Sequence, residues 1–134
     1  MLRMAAAGAV LALCAILSCV GVLAQRGSVM HKLADRKICA DEECSYPMAM
    51  VRAVGDYSGS DCRFINVRQG QIVYVYAKLK GRGRNFWQGT AQGSYYGGET
   101  GKLGFFPKVI VRELQRLATE TVEMPTDDWD FYCQ

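Results

Sequence analysis

Ile72-Val73-Tyr74-Val75-Tyr76-Ala77 is β-branched or aromatic at five of its six positions, the composition of a pleated strand. It runs into Lys78-Leu79-Lys80-Gly81-Arg82-Gly83-Arg84, a basic, Gly-rich hairpin tip. Asn85 to Gln92 returns as a strand carrying Phe86 and Trp87. Upstream, Cys62-Arg63-Phe64-Ile65-Asn66-Val67 alternates, with Cys62, Phe64 and Val67 expected inward, and Arg68-Gln69-Gly70-Gln71 reads as a turn. Gly55 to Asp61 is a loop of Gly, Ser and Asp around Tyr57. Met48 to Val54, bounded by Pro47 and Gly55, is a further strand. Downstream come a Gly-rich turn, Gly93 to Gly101, centred on Tyr95 and Tyr96, and a short strand, Lys102 to Phe106, stopped by Pro107. Val109-Ile110-Val111 resumes, and Arg112 to Glu123 is polar with weak helical potential. Five short strands separated by Gly-rich turns in about 65 residues predict an all-β chain folded as a small antiparallel barrel.

The ends of the chain set its compartment. Met1-Leu2-Arg3 is a short positive segment, and Met4 to Ala24 holds no charge. Val22-Leu23-Ala24 before Gln25 suits signal-peptidase cleavage. Residues 1–24 therefore read as a secretory signal and 25–134 as the mature chain. An uncleaved anchor and a lipidated Cys19 are the rivals, and the Ala-rich, thinly hydrophobic stretch argues against a span. Beyond the signal stand Cys39, Cys44, Cys62 and Cys133. An even number in a small secreted chain reads as two disulfides, with three connectivities open. Cys39 and Cys44 enclose only Ala40-Asp41-Glu42-Glu43, and pairing them leaves Cys62 for Cys133. The spacing fits no common zinc pattern. Trp129, Phe131 and Cys133 fall on one face of an extended tail, which needs a surface to dock on.

Composition excludes several classes. The 134 residues carry a formal charge of +3 and a single histidine, His31, in a loose polar arm from Gln25 to Arg36. That balance is not a histone-like polycation, and nucleic acid is disfavoured as a partner. No Gly-rich phosphate loop, HExxH or nucleophile–base pair occurs, so no enzyme and no cofactor is expected. The sequence holds neither an Asn-x-Ser/Thr sequon nor Arg-Gly-Asp.

Four motifs in order resemble an SH3 domain. Ala53-Val54-Gly55-Asp56-Tyr57 is similar to its opening Ala-Leu-x-Asp-Tyr signature, and Cys62-Arg63-Phe64 followed by Gly70 to its second strand and turn. Phe86-Trp87-Gln88-Gly89 looks like its paired-Trp strand, and Gly104-Phe105-Phe106-Pro107 with Val111 like its closing motif. Lys32 to Lys37, Cys39 to Cys44 and Trp129 to Cys133 further resemble the secreted SH3-like family of melanoma inhibitory activity protein and otoraplin. The hairpin Leu79 to Arg84 and the turn Gly93 to Gly97 are more similar to the first. The resemblance implies an SH3-like barrel (core about 48–112) with extensions 30–47 and 113–134. It also implies the pairing Cys39–Cys44 and Cys62–Cys133. It further implies secretion from cartilage or tumour cells, binding to matrix proteins such as fibronectin and to integrins, and modulation of adhesion and growth.

Carrying the SH3 peptide surface over gives Tyr57, Phe86 (in place of the first Trp), Pro107 and, at the usual Tyr, Ile110. Ile offers no hydroxyl, and the loop Ser58-Gly59-Ser60-Asp61 is short of acids, so PxxP recognition is not expected. What remains is an aromatic surface, Tyr57, Phe86, Trp87 and Pro107. Lys78, Lys80, Arg82 and Arg84 would share one side if the strand continued, giving a second candidate surface, for glycosaminoglycan. Exposed aromatics beside a basic loop are compatible with a weak homodimer. A Cys62–Cys133 bridge would clip the tail across the barrel, and its loss would expose Trp129 and Phe131.

Overall fold

The strand-forming run quoted first becomes the hub of the sheet. In chain order the strands are β1 (Arg36–Cys39), β2 (Ala49–Ala53), β3 (Ile72–Lys80), β4 (Phe86–Gln92), β5 (Leu103–Pro107), β6 (Val111–Arg116) and β7 (Val122–Pro125). They come from a computed structural model, which describes residues 31–93 and 101–133. The expected signal segment 1–24 and the turn around Tyr95 and Tyr96 lie outside the described residues. Hydrogen bonding runs β5-β4-β3-β1-β7, with β2 joining β3 to β6. All strand pairs are antiparallel.

β3 is long enough to serve three partners. One edge pairs with β4; along the other, β2 covers Ile72–Val75 and β1 covers Ala77–Lys80. A bulge between Val75 and Ala77 leaves Tyr76 without an opposite residue in β4. Such a bulge turns the strand and lets its two halves face different cores. Val73 and Val75 join Val51, Ile65, Val67 and Phe106 in the main core. Leu79 belongs to a second core with Ala34, Phe64, Phe105 and Phe131. Gly89 permits the tight β3–β4 approach, because a Cβ there would collide with the Tyr74 carbonyl.

The flanks build the second core. Segment 30–47 supplies Ala34 and β1; segment 113–134 supplies β7 and Phe131, and β1 pairs with β7. The structure joins Cys39 to Cys44 and Cys62 to Cys133, with Cα separations of 5.2 and 5.4 Å.

Four local expectations are corrected. Cys62 faces solvent in a turn, and 62–67 is not an alternating strand: Phe64 and Val67 make isolated bridges, and Ile65 between them is fully buried as well. The Asp61 carboxylate accepts from the Arg63 backbone N–H at 2.9 Å and from its Nη2 at 2.7 Å, which pulls the chain out of the pleat before Phe64. Arg112 to Glu123 holds β6 and the start of β7, not a helix; β6 is polar because most of its residues are exposed, while β2 supplies its backbone partners. The tail from Asp128 to Phe131 is a 3₁₀ turn, so Trp129 and Phe131 do not share a face: Trp129 is 71% exposed and Phe131 0%. The described end of the arm, residues 31–36, is not wholly loose, since Ala34 is fully buried and its carbonyl accepts from the Thr126 hydroxyl at 2.7 Å.

Candidate functional site

Alternation along β4 divides the expected aromatic surface. Phe86 pairs with Pro107 and Trp87 with Phe106, so the two neighbours project to opposite faces. Phe86 meets Phe64 edge-on at 5.5 Å, and Tyr57 meets Phe64 at 6.4 Å. Tyr57, Phe86 and Pro107 thus gather at the Phe64 side, all half-buried. Burial, with the Asp61 charge adding, pushes the Tyr57 phenol above its usual pKa. Trp87 instead packs on the main core, with the Lys78 Nζ 4.2 Å from its ring centroid, a cation–π contact. Ile110 packs against the same core.

The basic hairpin is shorter and less charged than its sequence. The strand stops at Lys80, and Gly81–Gly83 forms a 3₁₀ turn opened by Gly81 at φ 73°. The alternation that would align the cations ends there. Lys80 Nζ lies 3.4 Å from Glu123, and Arg82 lies 3.5 Å from Asp35. Arg84 donates to the Gly81 carbonyl at 3.1 Å. Glu123 also takes the Arg36 Nε at 2.7 Å, and these bonds from Arg36 and then Lys80 hold its carboxyl below the usual range.

A third surface lies where the tail passes the disulfide mini-loop. It is an open groove of about 630 Å³. Leu103, Met124, Pro125 and Trp129 give it apolar walls; Glu42, Glu43, Asp127 and Asp130 bring four carboxylates against the single ammonium of Lys37. Lys37 and Asp130 pair at 2.7 Å with both side chains largely buried. Two devices hold the walls. Asp41 accepts from the Ser45 backbone N–H at 3.1 Å and its hydroxyl at 2.9 Å, which lowers the Asp41 pKa and fixes the turn that places Cys44 at φ 55°. Across the groove, Asp127 and Asp130 cap each other's backbone N–H groups at 3.1 and 2.9 Å and lock the 3₁₀ turn that presents Trp129. Trp129 rests edge-on against Tyr132 at 5.2 Å, a contact that steadies its exposed ring.

Comparison with known proteins places this architecture. Residues 50–114 match the family model described as Variant SH3 domain. Melanoma-derived growth regulatory protein of Homo sapiens is 58% identical over 109 residues, covering 81% of this chain and 83% of that protein. The Rattus norvegicus protein of that name is 56% identical over 119 residues, covering 89% and 92%. Human otoraplin is 44% identical over 118 residues, covering 86% and 91%. The chain belongs to the family of melanoma-derived growth regulatory protein and otoraplin. The family resemblance drawn from the four motifs and the flanks is therefore established, together with its SH3-like, two-disulfide fold.

Within this fold of the melanoma-derived growth regulatory protein family, the structure brings Tyr57, Phe86 and Pro107 together and separates Trp87 from them. It leaves Lys80, Arg82 and Arg84 near one another but engaged. The groove was missed in sequence because its walls come from three distant stretches, 37–44, 88–103 and 124–130. The one signal was a Trp in an acidic tail, and reading that tail as extended hid it.

Proposed function

We propose that this protein is a secreted growth-regulatory binding protein that engages extracellular matrix proteins, fibronectin-like segments and integrins, and so modulates cell–matrix adhesion. Several features support the reading. Relatives carry growth regulation in their name. Two disulfides suit an oxidising compartment. The charge-free run after Arg3 reads as a signal. The protein acts by holding a partner, not by chemistry.

The observation that carries the site is Trp129, 71% exposed at the wall of an acidic groove. An exposed Trp held beside apolar walls is the kind of residue that dominates binding energy at an interface. Carboxylates around it favour a partner segment bearing cations next to an apolar anchor. A PxxP ligand is disfavoured: Asp61, an acid of the expected peptide-facing loop, is taken by Arg63, whose hydrogen bonds lower its pKa.

Capture of fibronectin fragments by the disulfide-bonded protein tests this. Trp129→Ala is expected to weaken capture by about tenfold or more, and Lys80→Gln/Arg82→Gln/Arg84→Gln to leave it nearly unchanged. Full capture by the Trp129 variant would remove the groove from the mechanism. Amino-terminal sequencing of secreted material checks the compartment: a start near Gln25 is expected. The glycosaminoglycan alternative runs through the exposed hairpin, where Lys80 and Arg82 face carboxylates at 3.4 and 3.5 Å and such exposed pairs hold their cations only weakly. Capture lost in the hairpin variant and kept by Trp129→Ala would favour it.

A further inference from the structure

Sheet topology creates a second recess, independent of the groove. β2 and β1 lie end to end along one edge of β3, so a seam opens between them beside Tyr76. β6 continues from β2 and β7 from β1, and the segment joining them closes over the seam. Its course is fixed, because the Met48 carbonyl accepts the backbone N–H groups of both Leu117 and Ala118 at 2.9 and 3.1 Å. The result is a cleft of about 260 Å³ with Ile38 and Met48 in its floor and Lys78, Arg116, Thr119 and Thr121 around it.

The charges here differ from those of the hairpin. Among the described residues, neither Lys78 nor Arg116 has a carboxylate within ion-pair distance. The Lys78 ammonium lies over the Trp87 ring, at 4.2 Å. Glu113 also borders the cleft and is the one opposing charge there. Two available cations, two hydroxyls and a short apolar floor match one kind of ligand. We propose that this cleft binds a sulfated sugar residue of a glycosaminoglycan chain. The sulfate meets Lys78 and Arg116 in charge-assisted hydrogen bonds, the threonine hydroxyls meet ring hydroxyls, and the C–H face of the ring lies on Ile38 and Met48. The cleft is smaller than the roughly 300–1,000 Å³ that encloses a drug-sized molecule, so it takes one ring of a chain that continues across the surface.

The chain has two tryptophans, and this gives a local readout. In a Trp129→Phe background, Trp87 alone reports, and its emission senses the Lys78 ammonium. Titration of the disulfide-bonded protein with a sulfated heparin tetrasaccharide is expected to give a saturable change, and the fully desulfated tetrasaccharide none. Arg116→Gln, at the exposed end of β6, is expected to weaken binding about tenfold, the order for a lost charge-assisted contact. Lys80→Gln/Arg82→Gln is expected to weaken it less than about threefold through the general field. Glu113→Gln should tighten it. A response indifferent to sulfation, no saturation at all, or a hairpin variant as impaired as Arg116→Gln would each overturn the proposal. Because the titration is run without Trp129, its outcome is separate from that of the fibronectin test.

Discussion

Phe131 leaves no exposed surface and stacks on Phe105 at 5.4 Å, with the planes 17° apart. It is the side chain through which the tail enters the second core. Phe131→Ala is expected to cost about 3–5 kcal/mol, the range for truncating a buried aromatic, read from denaturant melting. Single residues also set the pH response. Asp41, Asp61 and Glu123 all have carboxyl pKa values below the ordinary range, through hydrogen bonds from Ser45, Arg63 and Arg36 respectively. A carboxyl depressed in the folded state contributes stability above its unfolded pKa and loses it as pH falls through the folded value. The thermal midpoint should therefore be flat from neutrality down to about pH 5 and decline below it. In Asp61→Asn that acid decline should shrink; an equally steep curve would show that this carboxyl carries none of it.

At the scale of elements, the tail is fastened several times over. β7 pairs with β1, the Thr126 hydroxyl donates to the Ala34 carbonyl, the Lys32 Nζ donates to the Thr126 carbonyl at 3.0 Å, and Lys37 pairs with Asp130. The Cys62–Cys133 bridge is thus a staple on a tail that is already docked. Cys62→Ser/Cys133→Ser is expected to keep the fold and the Trp129 environment while losing about 4 kcal/mol, the chain-entropy value for so long a loop. Thr126→Val, which strands a buried carbonyl, should cost about 1–3 kcal/mol and loosen the tail, seen as faster amide exchange in β7. The same paired elements explain what the sequence pattern missed. β6 and β7 lack a hydrophobic alternation strong enough to be read, because β6 is mostly exposed and β7 half so. Their strand form is imposed by the hydrogen-bonding edges of β2 and β1, which no local pattern records.

Over the whole molecule, the flanks turn a small barrel into a protein with two cores and two unlike surfaces. The acidic groove with Trp129 and the cationic cleft with Lys78 and Arg116 both arise where flank segments meet the barrel. Fibronectin capture and sulfated-sugar binding should therefore respond to separate substitutions and show different salt dependence, steeper for the sugar. Simultaneous loss of both in either single-site variant would mean that the two surfaces are one. The sequence alone determined the class, the hub strand, the order of SH3-like motifs and the family, because a period of two and Gly-bearing turns are local properties. Only the tertiary structure decided that Cys62 faces water, that Lys80 and Arg82 find carboxylates, and that Trp129 stands in a groove. Those outcomes depend on which distant carboxylate, carbonyl or ring a side chain finds after folding, and a one-dimensional pattern does not contain that distance.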